Sequence, residues 1–376
     1  MMESSSHGET VIKLTKSLEL CNECGVCLDA CPTYKATQNE DFSPVGRIKA
    51  ARKIFQDEEV TPNMIESIYN CPECYLCTGI CPFDIDVPEI VEQSRIELVI
   101  KGLGPLERQN KVIAGIQRLG NSVNGDPSRR LDWLPEDFPR RESSTLFFVG
   151  CFPSYLVKDA ATSSYLLLKK LGVDFMILQD EGCCGIYYHQ VGRLDLAREK
   201  FEENADRFKK LGIKRLIVAC AGCYHCFKQY YPQFLGSIDF DVVHIIQLLP
   251  SLLKEKGIKM EQKGVEVTYH DPCRLGRLEG FYDEPREALR LCGVKINEMA
   301  ENRKTAPCCG AGAAVRSVYR DLSLKIATSL LDEAPVNHIV TPCPFCEFNL
   351  SYASRKTESG KKIAYITETI LHALTV

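Results

Sequence analysis

Twenty cysteines stand in a chain of 376 residues, in tight clusters rather than scattered pairs. Thiolates bind soft metal ions and iron–sulfur clusters, or they exchange disulfides. Disulfide frameworks belong to short secreted chains. This chain is long, and Met1 to Thr10 is polar, without the apolar stretch of a signal peptide. The clustering therefore points to metal or cluster ligation in a reducing compartment. Two runs open the chain: Cys21, Cys24, Cys27 and Cys31 before Pro32, then Cys71, Cys74, Cys77 and Cys81 before Pro82. Three thiolates at intervals of three residues wrap a loop around one cubane, the proline stops the turn, and the fourth cysteine is carried to the other cluster. One [4Fe–4S] cubane is expected on Cys21, Cys24, Cys27 and Cys81, and a second on Cys71, Cys74, Cys77 and Cys31. Zinc knuckles, the alternative, use two Cys-x-x-Cys pairs, usually further apart. Two neighbouring cubanes make a wire for single electrons rather than a site for bond chemistry.

Two larger motifs follow. The first joins Cys151, Cys183, Cys184, Gly185, Cys220 and Cys223; the second joins Cys273, Cys308, Cys309, Gly310, Cys343 and Cys346. Matching cysteines lie 122 to 125 residues apart, so the second half of the chain reads as an internal repeat. Adjacent cysteines point in different directions on a tight turn, and the glycine after them permits a backbone that a side chain would block.

The elements that must position these residues can be read around them. Apolar, β-branched stretches run into cysteines four times: Leu146–Val149 before Cys151, Leu216–Ala219 before Cys220, Val265–Tyr269 before Cys273, and Ile339–Pro342 before Cys343. Between them come helical periodicities. Leu194, Ala197, Phe201, Ala205, Phe208 and Leu211 mark one buried face, and Val318, Leu322, Ile326 and Leu330 mark the other. Strands alternating with helices predict two α/β lobes with mainly parallel sheets, whose strand ends converge on one crevice. Residues 121–145, rich in Pro, Gly, Asp and Arg, read as a linker. The expected architecture is an α+β multidomain chain: an α-helical ferredoxin domain over 1–120, the linker, and two pseudo-twofold related α/β Cys-Cys-Gly lobes over 146–262 and 263–376.

The phrases VGCFPS, EGCCG and CAGCY in the first lobe, and YHDPCRLGR, APCCGAG and TPCPFCEFNL in the second, resemble the Cys-Cys-Gly domain family, in its branch of D-type catalytic subunits of heterodisulfide reductase from methanogenic archaea. The resemblance runs from Cys21 to about Leu350. The long insertion between the first two cysteine runs, with helical text over Gly46–Phe55 and Pro62–Tyr69, is similar to the α-helical ferredoxin domain of succinate dehydrogenase iron–sulfur subunits. The family resemblance implies a non-cubane [4Fe–4S] cluster on each five-cysteine motif, so two cubane and two non-cubane clusters in all. A small-molecule disulfide would lie between the last two and be reduced by two electrons. It also implies partner subunits in a redox complex, a membrane cytochrome b or a flavin/iron–sulfur subunit. Other relatives are electron-relay subunits of glycolate, lactate and glycerol-3-phosphate dehydrogenases, which pass electrons toward a quinone-type acceptor. Their second motif often lacks its last cysteine, whereas Cys343 and Cys346 both stand here.

The motifs leave over Cys226 and Cys292: Cys226, three residues past Cys223, reads as a spare thiol packed on a helix or as a substitute ligand, and Cys292 as a small core residue. His189 and His270 lie near motif cysteines and suit either a proton donor for a departing thiolate or a plain hydrogen-bonding role. Arg274 and Arg277, beside Cys273, suit either an anionic substrate or the surface. The formal net charge of −4, with no long basic block, argues against nucleic acid as a partner. No GxGxxG fingerprint opens either lobe, so no flavin or nicotinamide is expected on this chain. With no apolar run long enough to cross a bilayer, the expected location is the cytoplasm, with docking on the inner face of the membrane left open.

Overall fold

The computed structural model describes residues 14, 16–139, 142–257 and 264–375. The N-terminal part is helical. Three of its helices, Pro44–Phe55, Pro62–Tyr69 and Val87–Ile100, start in the same way. A side-chain oxygen of Ser43, Thr61 or Asp86 accepts from a backbone N–H in the first turn, and a proline occupies one of the first two helical positions, where a missing N–H costs nothing. Their apolar faces, with Ile48, Ile54, Ile68, Val91 and Leu98, close a core from which the cysteine loops project.

Two parallel sheets follow. The first has strands β1 (Thr145–Phe148), β2 (Arg215–Val218) and β3 (Asp241–His244) in the order β1-β2-β3, and Met176 pairs with Leu146 on the far side of β1. The second has β4 (Glu266–Tyr269), β5 (Lys295–Ile296), β6 (His338–Thr341) and β7 (Lys362–Tyr365) in the order β5-β4-β6-β7. With the Met176 bridge standing for β5, the two lobes share one strand order, and every described pairing is parallel. The predicted strand–cysteine junctions fall at the carboxyl ends of β1, β2, β4 and β6.

The lobes share one continuous apolar core. The C-terminal helix Ile366–Thr375 crosses onto helix Lys158–Lys170 of the first lobe, where Thr367 and Ser163 hydroxyls meet at 2.6 Å. Tyr365 donates to the Ala219 carbonyl at the end of β2 at 2.6 Å. The stretch read as a linker is itself packed: Trp133 is buried, and its carbonyl accepts from Thr162. The helical faces differ in detail from their periodicity. Ala197, Phe201 and Phe208 are buried on helix Leu194–Lys210, but Leu211, just past its end, is exposed. Val318 belongs to a separate short helix, Val315–Val318, ahead of Arg320–Glu333, on which Ile326 and Leu330 are buried. No described helix is long and apolar enough to cross a membrane.

Candidate cluster-binding site

All ten cysteines of the two five-cysteine motifs line one cavity between the lobes, with room for water-sized molecules over about 180 Å³. Cys151, Cys220, Cys273 and Cys343 reach it from the strand ends. Cys223 and Cys346 follow on the helices Ala221–His225 and Pro344–Thr357. The Cys183-Cys184 and Cys308-Cys309 pairs sit on matching turns. Gly185 and Gly310 hold φ of 91° and 77°, the left-handed region that a side chain disfavours. Their N–H groups point at the Sγ of Cys183 (3.4 Å) and Cys308 (3.3 Å). A Cβ on Gly185 would come within 2.8 Å of the Phe201 ring, and one on Gly310 within 2.8 Å of the Ser323 carbonyl oxygen.

A buried arginine–carboxylate pair braces each motif. In the first lobe the Glu181 carboxylate accepts from Val149 N and Gly150 N at 2.8 Å each and pairs with Arg130, so it ties the β1 end to the Cys-Cys turn. In the second, Asp271 accepts from Arg286 through both oxygens (2.7 and 2.8 Å) and from Arg303 N at 2.8 Å. Bidentate pairing of this kind fixes orientation as well as charge. Side-chain donors also hold the turn carbonyls: Cys226 Sγ and Tyr231 Oη reach the Cys184 carbonyl at 3.3 and 3.0 Å, Asn204 that of Cys183 at 2.9 Å, and Asn349 that of Cys309 at 2.6 Å.

The N-terminal cysteines divide into two groups. Cys21, Cys24, Cys27 and Cys81 line one small cleft, whose wall Cys77 also touches. Cys31 lies instead with Cys71 and Cys77 around the buried Arg47, which donates to Cys31 Sγ at 3.5 Å and whose guanidinium is held charged by all three thiol groups against the cost of burial. Cys74 stays beside Cys77 and also meets Cys308 of the second lobe in side-chain contact. Arg277 seals this junction, donating to the Cys74 carbonyl at 2.6 Å and the Ala306 carbonyl at 2.8 Å. Arg274 pairs with the buried Glu73 at 3.1 Å. Arg274 is buried rather than superficial, and Arg277 is committed to backbone carbonyls. Across the lobes, Cys220 and Cys343 also touch. His189 stacks on Tyr230 at 3.7 Å and does not line the cavity. His270 does approach the cysteines: one of its ring nitrogens lies within 4.8 Å of Cys309 and Cys346 Sγ. Cys292 is a buried core residue.

Burial pushes His270 down to about 4, so it is neutral, and both its ring nitrogens lack partners among the described residues. Contact with Cys220, then with burial, raises Cys343 to about 12, whereas donation from Cys308 and then Cys346 draws Cys309 down to about 6. Thiols crowded against one another, with an imidazole beside them, form a soft donor set suited to a cation. Bound iron would relieve both the crowding and the unpaired donors. The residues present therefore fit an iron–sulfur group. The spacing located every one of these cysteines. It did not disclose Glu181, Asp271, Asn349 or the Cys74–Cys308 contact, because these depend on which strand ends meet.

Comparison with known proteins agrees with this geometry. Residues 17–85 match the model of a 4Fe-4S dicluster domain, and residues 145–228 and 267–351 each match that of a cysteine-rich domain, CCG. The chain is 33% identical, over 97% of its length and 96% of the relative's, to the D subunit of dihydromethanophenazine:CoB–CoM heterodisulfide reductase of Methanosarcina mazei. It is 32% identical, over the same shares, to the corresponding protein of Methanosarcina barkeri. It is also 27% identical, over 95% of its length and 58% of the relative's, to an EtfAB:quinone oxidoreductase of Syntrophomonas wolfei. The class defined by fold and site is that of iron–sulfur electron-transfer proteins with paired Cys-Cys-Gly domains. Within it, the chain belongs to the family of heterodisulfide reductase D subunits.

Proposed function

We propose that this protein takes up single electrons through two [4Fe–4S] cubanes in its N-terminal domain and uses them to reduce a small-molecule disulfide between two non-cubane [4Fe–4S] clusters, one on each five-cysteine motif. Cys21, Cys24, Cys27 and Cys81 would hold one cubane, and Cys31, Cys71, Cys74 and Cys77 the other. The lobes, over 146–262 and 263–376, would be related by a pseudo-twofold axis. One observation carries the reading: ten thiols from both motifs face a single cavity. Reduction of a disulfide takes two electrons and two protons and yields two thiols, while cubanes deliver electrons singly. A substrate reached from both lobes resolves that mismatch, and the clusters would supply open iron positions for the sulfur atoms. The chain's own part is to hold the turns rigid, through Glu181, Asp271 and the glycine positions, and to keep the cavity apolar. The Cys74–Cys308 contact supports a path in which the second lobe would receive electrons first. Partner subunits, a cytochrome b or a flavin protein on the cytoplasmic face of the membrane, would feed the N-terminal domain.

The test is anaerobic oxidation of a reduced one-electron dye on adding a thiol-derived heterodisulfide. Cys184→Ala and Cys309→Ala should each abolish turnover while the N-terminal cubanes still reduce. The relative named as a quinone oxidoreductase favours a second reading, a relay without disulfide chemistry. Electron transfer to a quinone with no response to any disulfide would establish that reading instead.

A further inference from the structure

Two arginines of the second lobe line the cavity, Arg274 and Arg316, and Arg277 follows Arg274 closely in sequence. Arg274 pairs with Glu73 and Arg277 donates to backbone carbonyls, so both are anchored although Arg274 Nη1 and Arg277 Nη2 have no partner among the described residues. Arg316 lines the cavity, yet among the described residues it has no hydrogen bond and no ion pair, and its buried Nε and Nη1 are without partners. Its position is nonetheless built. The guanidinium lies 4.4 Å from the centroid of the Tyr352 ring and 5.9 Å from that of Phe348, which fixes its plane and leaves its N–H edge free. The segment that carries it is held from all sides. Arg95 of the N-terminal domain donates to the Ala313 carbonyl at 3.3 Å, and Arg108 to that of Val318 at 2.9 Å. Tyr187 of the first lobe meets Ser317 at 2.9 Å. Ala313 and Ala314 keep φ of 48° and 64°, a conformation that non-glycine residues hold only under constraint. A braced and strained loop that presents a cation with no ion-pair partner to a largely apolar, thiol-lined cavity is suited to select a ligand.

We propose that Arg316 is a specificity-determining residue, binding an anionic end group (carboxylate, sulfonate or phosphate) on one arm of the molecule that enters the cavity. The inference rests on the reductase reading for the identity of that molecule, but not for the anion site itself. Bidentate donation from the free N–H edge favours an oxyanion over a halide or a neutral amide.

Two measurements on the anaerobic, cluster-loaded protein test it. The first is calorimetric binding of redox-inert probes of similar length: butyrate, propanesulfonate and propyl phosphate. Arg316→Gln should weaken the preferred probe on the order of tenfold or more, the loss expected for a charge-assisted contact, and Arg316→Lys should recover part of it, with iron content unchanged in both. The second is turnover of 3,3′-dithiodipropionate against its neutral diamide. Arg316→Gln should raise KM for the diacid on the order of tenfold with kcat within about twofold, and leave the diamide unaffected. Wild-type protein that binds none of the probes, or an Arg316→Gln variant that binds them equally well, overturns the proposal. So does a variant whose cluster absorption shifts while probe binding stays constant, because Arg316 would then serve the cluster sulfides. If neither disulfide is reduced by wild type yet probe binding still depends on Arg316, the reductase reading falls and the anion site stands.

Discussion

The two lobes carry the same five-cysteine pattern, at slightly different spacing, on the same strand order, and each braces its motif with a buried arginine–carboxylate pair, but the brace sits in different halves. In the first lobe Glu181 precedes the Cys-Cys turn and reaches back to β1. In the second Asp271 follows β4 and reaches forward to Arg303, ahead of the Cys-Cys turn. The same two segments are tied with the carboxylate on opposite ends. What is kept between the copies is therefore the geometry of the turn rather than the residue that enforces it. The lobes also differ in their neighbours. Cys308 of the second lobe touches a cysteine of the N-terminal domain, whereas the cysteines that Cys151, Cys183 and Cys184 of the first interact with most strongly, among the described residues, belong to their own lobe.

The sharpest way to break this comparison is to remove one cluster ligand at a time. With a reduced flavodoxin as donor, too large to enter the cavity, Cys308→Ala should leave the first-lobe site almost wholly unreduced. Cys151→Ala should leave reduction of the second-lobe site at the wild-type rate. Electron paramagnetic resonance after rapid freezing checks this, and equal effects of the two variants would remove the distinction between a receiving and a distal lobe. Next comes the brace. Arg286 is fully buried between Asp271 and Glu298, and Arg130 is nearly so against Glu181. Truncating either to alanine strands a buried carboxylate and should cost about 3–5 kcal/mol, more than a surface pair could. The measured sign would be loss of iron from the affected lobe first, seen as four fewer irons per chain if each motif holds a four-iron cluster. Replacing Asp271 and Arg286 together by Asn and Met should cost less than Arg286→Ala alone.

A smaller contrast lies in the turn glycines. Gly185→Ala and Gly310→Ala both force a side chain into left-handed backbone, on the order of 1–3 kcal/mol. The added methyl meets a movable Phe201 ring in the first lobe but the fixed Ser323 carbonyl in the second. Gly310→Ala should therefore show the larger fall in anaerobic thermal midpoint.

Much of this site was legible in the sequence because cluster ligation imposes fixed spacing. Every cysteine junction at β1, β2, β4 and β6 follows from an apolar run ending in a thiol, and the strand–helix alternation implies parallel sheets. Helix ends were less legible: Leu211 keeps the helical period but lies past the last turn, and Tyr319 breaks the chain between Val318 and Leu322. Least legible were contacts between separate parts of the chain. Arg130 sits in a stretch whose Pro and Gly content reads as a linker, yet it is buried against Glu181. Arg316 stands in no motif, and only the fold brings it to the cavity.

The smallest effect concerns Cys226, and it separates spare thiol from ligand. Cys226 follows Cys220 by six residues, as Asn349 follows Cys343. Its Sγ donates to the Cys184 carbonyl at 3.3 Å, and the Asn349 amide donates to the matching Cys309 carbonyl at 2.6 Å. The two side chains thus hold the same carbonyl of the same turn in the two lobes, a thiol in one and an amide in the other. Cys226→Ala removes a weak donor while Tyr231 still reaches that carbonyl. It should therefore cost only about 1 kcal/mol and leave iron content and cluster absorption unchanged. Cys226→Asn should restore or exceed the wild-type midpoint, as the second lobe already uses that residue there. Loss of iron in both variants would mean that the first lobe spends six thiols on its cluster, and the two lobes would then differ in ligation and not merely in how they hold a turn.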